Sequence, residues 1–153
     1  WYIVLTDRQR VYHAVSQDGI TWQGALDPVM EFGDADTWDR VGPRSLSVTT
    51  MPQGFLMAYH VEVPFGEPQI GLAASSDGNT WHRHHANPIM VPRGDGVHDF
   101  GCQDPVIRYE DGQIHLWYVA VGPFGRTCSS GSAKMERIVY TTLTAGNVPE
   151  EAP

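Results

Sequence analysis

The fold of this chain is decided by residues Gly71 to Tyr118, which read GLAASSDGNTWHRHHANPIMVPRGDGVHDFGCQDPVIRYEDGQIHLWY. Apolar and β-branched residues come in short runs there, and turn-forming residues such as Asp77-Gly78-Asn79 and Asp111-Gly112 separate the runs. Short runs bounded by Gly, Asp, Asn and Pro are typical of β-strands joined by tight turns. The stretch therefore predicts several strands.

The same pattern occurs twice in the chain. The segment SQDGITW, residues 16–22, returns about 59 residues later as SDGNTW, residues 76–81. Asp and Gly at the centre of this segment suit the left-handed backbone of a tight hairpin turn. Pro64-Phe65-Gly66 also returns, as Pro123-Phe124-Gly125. A unit that recurs at about 60 residues indicates a repeat protein.

Composition agrees with an all-β fold. The chain has 153 residues, 41% of them hydrophobic, which suits one packed domain over residues 1–153. It contains 16 Gly, 11 Pro, 5 Trp and 6 Tyr, and no window carries the apolar stripe of a long helix. We therefore predict an all-β domain.

Charge and apolar runs exclude two classes of partner. The formal net charge is -8, and the 10 Lys and Arg residues are scattered. Nucleic-acid sites need a basic stripe, so we expect no nucleic-acid partner. The sequence has no run of about 18 apolar residues, so we expect no membrane partner. The sequence begins at Trp1 and has no signal-peptide pattern, which leaves both a cytoplasmic and an exported protein open.

Metal and disulfide signals are weak. His82, His84 and His85 lie close together, but no cysteine or carboxylate completes a ligand set, so we expect exposed histidines and no metal or other cofactor. Cys102 and Cys128 can form one disulfide or stay free. Free thiols are favoured, because one bridge adds little to a domain that has its own core.

Each repeated unit is predicted to hold four short antiparallel strands, which is the composition of a β-propeller blade. About ten strands make two and a half blades: part of a blade at 1–30, a full blade at 41–91, part of a blade at 103–144 and a tail at 145–153. A ring needs more blades than this. Two explanations stay open: missing blades in a longer chain, or a homo-oligomer, most simply a two-fold dimer, with contacts near residues 1–6 and 137–144.

The residues from Ile70 to Tyr118 resemble the blades of five-bladed propeller carbohydrate-active enzymes, the superfamily of arabinanases, xylosidases, fructosidases and mannoside phosphorylases. Because the blade unit repeats, the resemblance extends over nearly the whole chain. The Ser-x-Asp-Gly-x-Thr-Trp turn is also similar to the Asp box of sialidases, although it is one residue shorter. We take the five-bladed propeller first and a sialidase-like propeller second.

The resemblance implies a glycan ligand, an oligosaccharide or glycoside, in a central funnel lined by carboxylates at the starts of the innermost strands. Glycoside hydrolysis needs one carboxylic acid that protonates the leaving oxygen and a second carboxylate that activates water or attacks the sugar. Asp104 matches the Asp-Pro motif at the start of such a strand. The resemblance implies that this aspartate orients the sugar or adjusts the pKa of the catalytic acid. The alternative is that Asp104 caps a turn before Pro105. In the earlier unit Gly42-Pro43 stands in this place, so that unit lacks the aspartate.

Two further carboxylates, Asp39 and Asp99, lie 60 residues apart, each preceded by a ring, Trp38 or His98. Both aspartates are candidate catalytic groups, and both rings are candidate sugar-binding groups, with Trp38 stacking on a pyranose. The alternative is that each aspartate fixes its connector by accepting backbone N–H groups.

Additional substrate-binding candidates surround these carboxylates. Arg40 and Arg44 have the geometry to hold a carboxylate or phosphate oxygen, or they form surface ion pairs. Gln103 precedes Asp104 and is a further candidate, while Glu62 and Glu67 are candidate general acids without a surrounding motif. Two functions stay open: a glycoside hydrolase or phosphorylase, and a non-catalytic propeller that binds a glycan or a protein.

Overall fold

The structure, a computed structural model, describes residues 2–7, 10–24, 27–63, 66–123 and 134–143. These residues form ten β-strands and no helix, so none of them builds a helix that could cross a membrane. The all-β prediction is confirmed. Cys128 and the tail at 145–153 lie outside the described residues.

The strands form three antiparallel sheets. The first sheet contains β1 (Tyr2–Asp7), β2 (Arg10–Val15) and β3 (Gln23–Gly24). The second contains β4 (Ser45–Met51), β5 (Gly54–Val61), β6 (Gln69–Ser75) and β7 (His82–Arg83). The third contains β8 (Cys102–Glu110), β9 (Gln113–Pro123) and β10 (Lys134–Leu143).

The pairing register repeats at the predicted period. Val11 on β2 forms a β-bridge with Met30, and Ile70 on β6 forms the same bridge with Met90. Ile70 is therefore the counterpart of Val11, 59 residues later. In this alignment β1, β2 and β3 correspond to β5, β6 and β7, while β8, β9 and β10 correspond to β4, β5 and β6. The described residues thus contain one complete four-stranded propeller blade between two blades that are each one strand short. This confirms the partial propeller.

The repeated hairpin turns are closed by their aspartates. Asp18 accepts the N–H groups of residues 20 and 21, and Asp77 accepts those of residues 79 and 80, at 2.7 to 2.9 Å. These backbone hydrogen bonds lower the pKa of Asp77 to about 2. Ser16 and Ser75 make matching contacts to the two aspartates, so the counterpart of Ser16 is Ser75 and not Ser76. Both aspartates therefore act in the turn itself.

The second sheet is buried on both faces, because its neighbours pack against it from either side. One face carries Leu56, Ala58 and Leu72 toward the third sheet, and the other carries Met57 and Tyr59 toward the first. All five side chains are fully buried. Burial of each large apolar side chain contributes about 1.5 to 3 kcal/mol, so the two cores fix the order of the sheets.

The inner strands of the second and third sheets are joined through side chains. Ser47 Oγ on β4 accepts the N–H of Ile107 on β8 at 3.2 Å, and Thr49 Oγ1 accepts the N–H of Tyr109 at 3.0 Å. The two hydroxyls are two residues apart, so they lie on the same face of β4. These bonds hold β4 and β8 side by side and bring the starts of both strands together.

Candidate functional site

The start of β8 contains a β-bulge at Asp104. Gln103 pairs with Val119 and Val106 pairs with Trp117, so two residues, Asp104 and Pro105, stand opposite one residue of β9. Asp104 has a φ of 50°, a left-handed conformation that is uncommon outside glycine and costs free energy. Its side chain is 54% exposed. The bulge therefore turns this carboxylate out of the sheet.

The corresponding strand of the second sheet has no bulge. On β4, Leu46 alone stands opposite Tyr59, and the pairing continues without interruption from Ser45 to Met51. The place of Asp104-Pro105 is thus taken by Leu46, and not by Gly42-Pro43 as the sequence spacing indicates. Asp104 is one residue more than the repeat requires.

A histidine from the neighbouring sheet holds the bulge. His60, on β5, is 5% exposed, and its Nδ1 accepts the backbone N–H of Asp104 at 3.1 Å. The Asp104 Oδ1 atom lies 3.6 Å from the same nitrogen. Burial lowers the pKa of His60, so the ring is neutral near pH 7. An acceptor at Nδ1 places the remaining proton on Nε2.

Polar and charged side chains lie beside His60 and Asp104. The Arg44 N–H donates to the carbonyl of His60 at 2.9 Å, and the Arg44 guanidinium forms an ion pair with Glu62. Gln103 Nε2 donates to Glu136 Oε1 at 3.4 Å. We call Arg44, His60, Glu62, Gln103 and Asp104 the bulge cluster.

The bulge cluster offers groups that suit a polyhydroxylated ligand. The Asp104 carboxylate accepts hydrogen bonds, and the exposed Arg44 and Glu62 side chains add a donor and an acceptor. Among the described residues, no group of three or more His, Cys, Asp or Glu is placed to hold a metal ion. The arrangement can therefore orient hydroxyl groups through hydrogen bonds.

Asp39 lies away from this cluster, in the core between the first and second sheets. Its side chain is 1% exposed and accepts hydrogen bonds from Arg83 Nε at 2.6 Å, Thr37 Oγ1 at 2.9 Å and the Tyr59 hydroxyl at 3.2 Å. Arg83 also donates to the carbonyl of Glu31 at 2.5 Å. The contacts of Asp39 join the connector to the sheet and leave no opening to a ligand.

Trp38 is half-buried in the same core. Its ring stacks on Tyr59 with the centroids 5.7 Å apart, and a Cβ atom at Gly71 would lie 2.6 Å from Trp38 Cζ2. The ring thus packs against the sheet backbone, where only glycine leaves room. One face of the ring is therefore covered by Tyr59.

The loop before β8 contains His98 and Asp99. His98 is 8% exposed and links Asp95, at 2.7 Å, to the Tyr118 hydroxyl, at 3.0 Å. Asp99 accepts the N–H of Gly96 at 2.7 Å. Tyr118 corresponds to Tyr59, and their partners His98 and Asp39 are also 59 residues apart. The structural counterpart of Asp39 is therefore His98 and not Asp99.

Of the ten candidate residues from the sequence, Arg44, Glu62, Gln103 and Asp104 come together. Arg40 is exposed on the connector before Arg44, and Glu67 forms an ion pair with Lys134. Sequence reasoning missed His60 and Glu136. One signal for His60 was present, because it interrupts the apolar run of β5 that is otherwise buried on both faces.

Three other features lie outside the bulge cluster. His82 and His85 are exposed as expected, but His84 is 5% exposed. Cys102 is a buried free thiol, and burial raises its pKa to about 11. A surface depression on the outer hairpin of the first sheet is lined by Val15, Ser16, Gln17, Asp18, Thr21 and Gln23.

Three solved structures are similar to this chain. An N-acetylgalactosamine deacetylase from F. plautii, in complex with blood group B trisaccharide, is 22% identical with a TM-score of 0.67 over 89% of this chain and 42% of that one. An RGII complex is 16% identical with a TM-score of 0.66, over 94% of this chain and 47% of that one. A glycoside hydrolase is 20% identical with a TM-score of 0.56, over 86% and 42%.

These likenesses concern the fold. The chain matches no protein-family model and no curated protein. It spans less than half the length of each of the three similar structures. In fold, the chain resembles propeller carbohydrate-active proteins, as the blade motifs indicate.

Proposed function

We propose that this chain forms part of a glycan-binding propeller and that the bulge cluster is its ligand site. The observation that carries the proposal is the bulge at Asp104, an added residue that turns an exposed carboxylate outward at the start of an inner strand. Backbone strain of this kind persists where the surrounding structure enforces it, and it concentrates at functional sites.

The chemistry of the cluster supports a sugar rather than an apolar ligand. Asp104 and Glu62 accept hydrogen bonds, and Arg44 and Gln103 donate them. Sugar hydroxyls both donate and accept, so such a mixed set matches them. Two of the similar structures are complexes, one with blood group B trisaccharide and one with RGII.

Binding is favoured over hydrolysis for this chain. Hydrolysis requires two carboxylates free to act on either side of the glycosidic bond. Asp104 is available, but Glu62 is engaged by Arg44, and Asp39 is buried. A second catalytic carboxylate would have to come from outside the bulge cluster.

The first test separates binding from turnover. The full chain is titrated with blood group B trisaccharide, RGII and the 4-nitrophenyl arabinoside, xyloside, fructoside and mannoside, and nitrophenol release is followed. We expect saturable binding of at least one glycan without release of nitrophenol. Turnover would establish the enzyme, and no binding to any glycan would contradict the proposal.

We also propose that a further blade covers the outer face of the third sheet. Ile138 is 81% exposed, Val106 55% and Tyr140 51%, whereas Leu56 and Ala58, on the matching face of the second sheet, are fully buried under the third sheet. Exposed apolar faces of this kind mark interfaces. In a longer chain the next blade supplies the cover, and in this chain alone a second copy does.

The mass in solution tests this assembly. We expect light scattering to give a multiple of the single-chain mass at micromolar concentration, and we expect Ile138→Lys to shift the population toward the monomer, because it places a charge in the contact. Asn79→Lys, an exposed change on the hairpin between β6 and β7, serves as the control. A stable monomer of the unaltered chain would contradict self-association.

A further inference from the structure

The hydrogen bond between Asp104 and His60 crosses from one blade to the next. Asp104 is at the bulge of β8, and His60 is at the end of β5 in the second sheet, 44 residues earlier. The N–H of Asp104 is an obligatory donor, so the Nδ1 atom of His60 must carry a lone pair. The bond thus depends on both the position and the protonation state of the ring.

The bulge and the histidine occur together. His60 pairs with Ile70, and Thr6 of the first sheet pairs with Val11, the counterpart of Ile70, so Thr6 has the register position of His60. β4, whose blade stacks on that first sheet, has no extra residue. β8, whose blade stacks on the sheet with His60, has one. Among the described residues, the histidine and the bulge thus occur at the same step from one blade to the next.

We infer that His60 is a positioning residue for the glycan site, which holds Asp104 in its left-handed bulge as long as Nδ1 is unprotonated. The inference rests on the proposed function for its ligand, but the hydrogen bond on which it depends can be measured without a ligand. His60 itself is 5% exposed and touches the site through Asp104.

Protonation would rearrange this contact. Three charged groups face His60: Asp104 on β8, Glu62 after β5 and Arg44 before β4. Burial is the largest influence and lowers the pKa of His60, Asp104 and Glu62 raise it, and Arg44 lowers it further. When the ring gains a proton, Nδ1–H can no longer accept the Asp104 N–H and turns toward Asp104 Oδ1, now 3.6 Å away. The Asp104 carboxylate is then bound by His60, and the backbone N–H of Asp104 loses its acceptor.

The direction of the pH effect follows from this. A histidine with a lowered pKa binds its proton more weakly in the folded chain than in the unfolded chain, whose value is about 6.5. The contribution of the neutral His60 ring to stability and to glycan affinity is therefore fully present above that value. It is lost as the pH falls through the lowered pKa of the folded state.

Two variants separate the acceptor from the ring. His60→Asn keeps an oxygen acceptor near the place of Nδ1 but does not titrate, and His60→Leu removes the acceptor. With blood group B trisaccharide or whichever glycan of the panel binds, we expect His60→Asn to match the unaltered chain at pH 7.5 and His60→Leu to bind about tenfold more weakly, as loss of one buried hydrogen bond implies. Between pH 7.5 and 5, the unaltered chain should lose affinity more than His60→Asn does. Equal affinity and equal pH profiles in all three proteins would overturn the inference.

A readout without ligand keeps the two proposals apart. In nitrogen NMR of the full chain, neutral His60 should show an unprotonated Nδ1 and a protonated Nε2, and the amide signal of Asp104 should shift as His60 titrates. A proton on Nδ1 at neutral pH would overturn the positioning role. The expected tautomer and titration without binding of any glycan would contradict the glycan proposal while the role of His60 in holding the bulge stands.

Discussion

Asp39→Ala is expected to lower the free energy of unfolding by about 3 kcal/mol, because it removes a buried carboxylate that accepts hydrogen bonds from Arg83, Thr37 and Tyr59. The change would leave the Arg83 guanidinium and the Tyr59 hydroxyl without their shared acceptor in the core between the first two sheets. Urea unfolding of the full chain measures the loss. For a chain of this length the melting temperature should fall by about 10 °C.

A matched control lies on the same connector. Asp36 is exposed, so Asp36→Ala should change the free energy of unfolding by less than about 0.5 kcal/mol. If Asp39→Ala were as stable as Asp36→Ala, the Arg83 side chain, which is 33% exposed, would have found water or another partner. The structural role of Asp39 would then be wrong.

Asp104→Asn is expected to weaken glycan binding by about tenfold or more, since it removes the charge from the hydrogen bonds that the carboxylate accepts. Asparagine tolerates a left-handed φ, so the bulge should survive and the melting temperature should stay nearly unchanged. Calorimetric titration with the glycan that binds, together with thermal unfolding, measures both quantities.

Asp111→Asn provides the control for this variant. Asp111 is another exposed aspartate, its φ is 51°, and it lies in the turn between β8 and β9. We expect it to leave both affinity and stability unchanged. A large loss of stability in Asp104→Asn would instead assign Asp104 to turn capping, the alternative that its position before Pro105 raises.

The sheets could be predicted from the sequence because their signals are local. Asp-Gly turns separate runs whose alternation sets which side chains face the core, and the hairpins at Asp18 and Asp77 repeat with the same contacts. Asp104 was found through a motif. The bulge itself was not, because the extra residue becomes apparent only when β8 is paired with β9.

The rest of the site depends on contacts that are distant in sequence. Asp39 and Asp99 were matched at a spacing of 60, but the tyrosine contacts follow a spacing of 59 and match Asp39 with His98. Because of this shift of one residue, Asp39, which accepts hydrogen bonds in the core, was matched with Asp99, which only accepts a backbone N–H in a loop. His60 was missed because its partner Asp104 is 44 residues away, on another blade.

The most direct test of the glycan site is the map of amide shifts in a nitrogen-proton correlation spectrum of the full chain as blood group B trisaccharide or RGII is added. We expect the largest shifts at Arg44, Gln103 and Asp104, around the bulge, and no shift in the hairpin depression around Asp18. Shifts confined to that depression, or no shift at the bulge with any glycan that binds, would contradict this expectation.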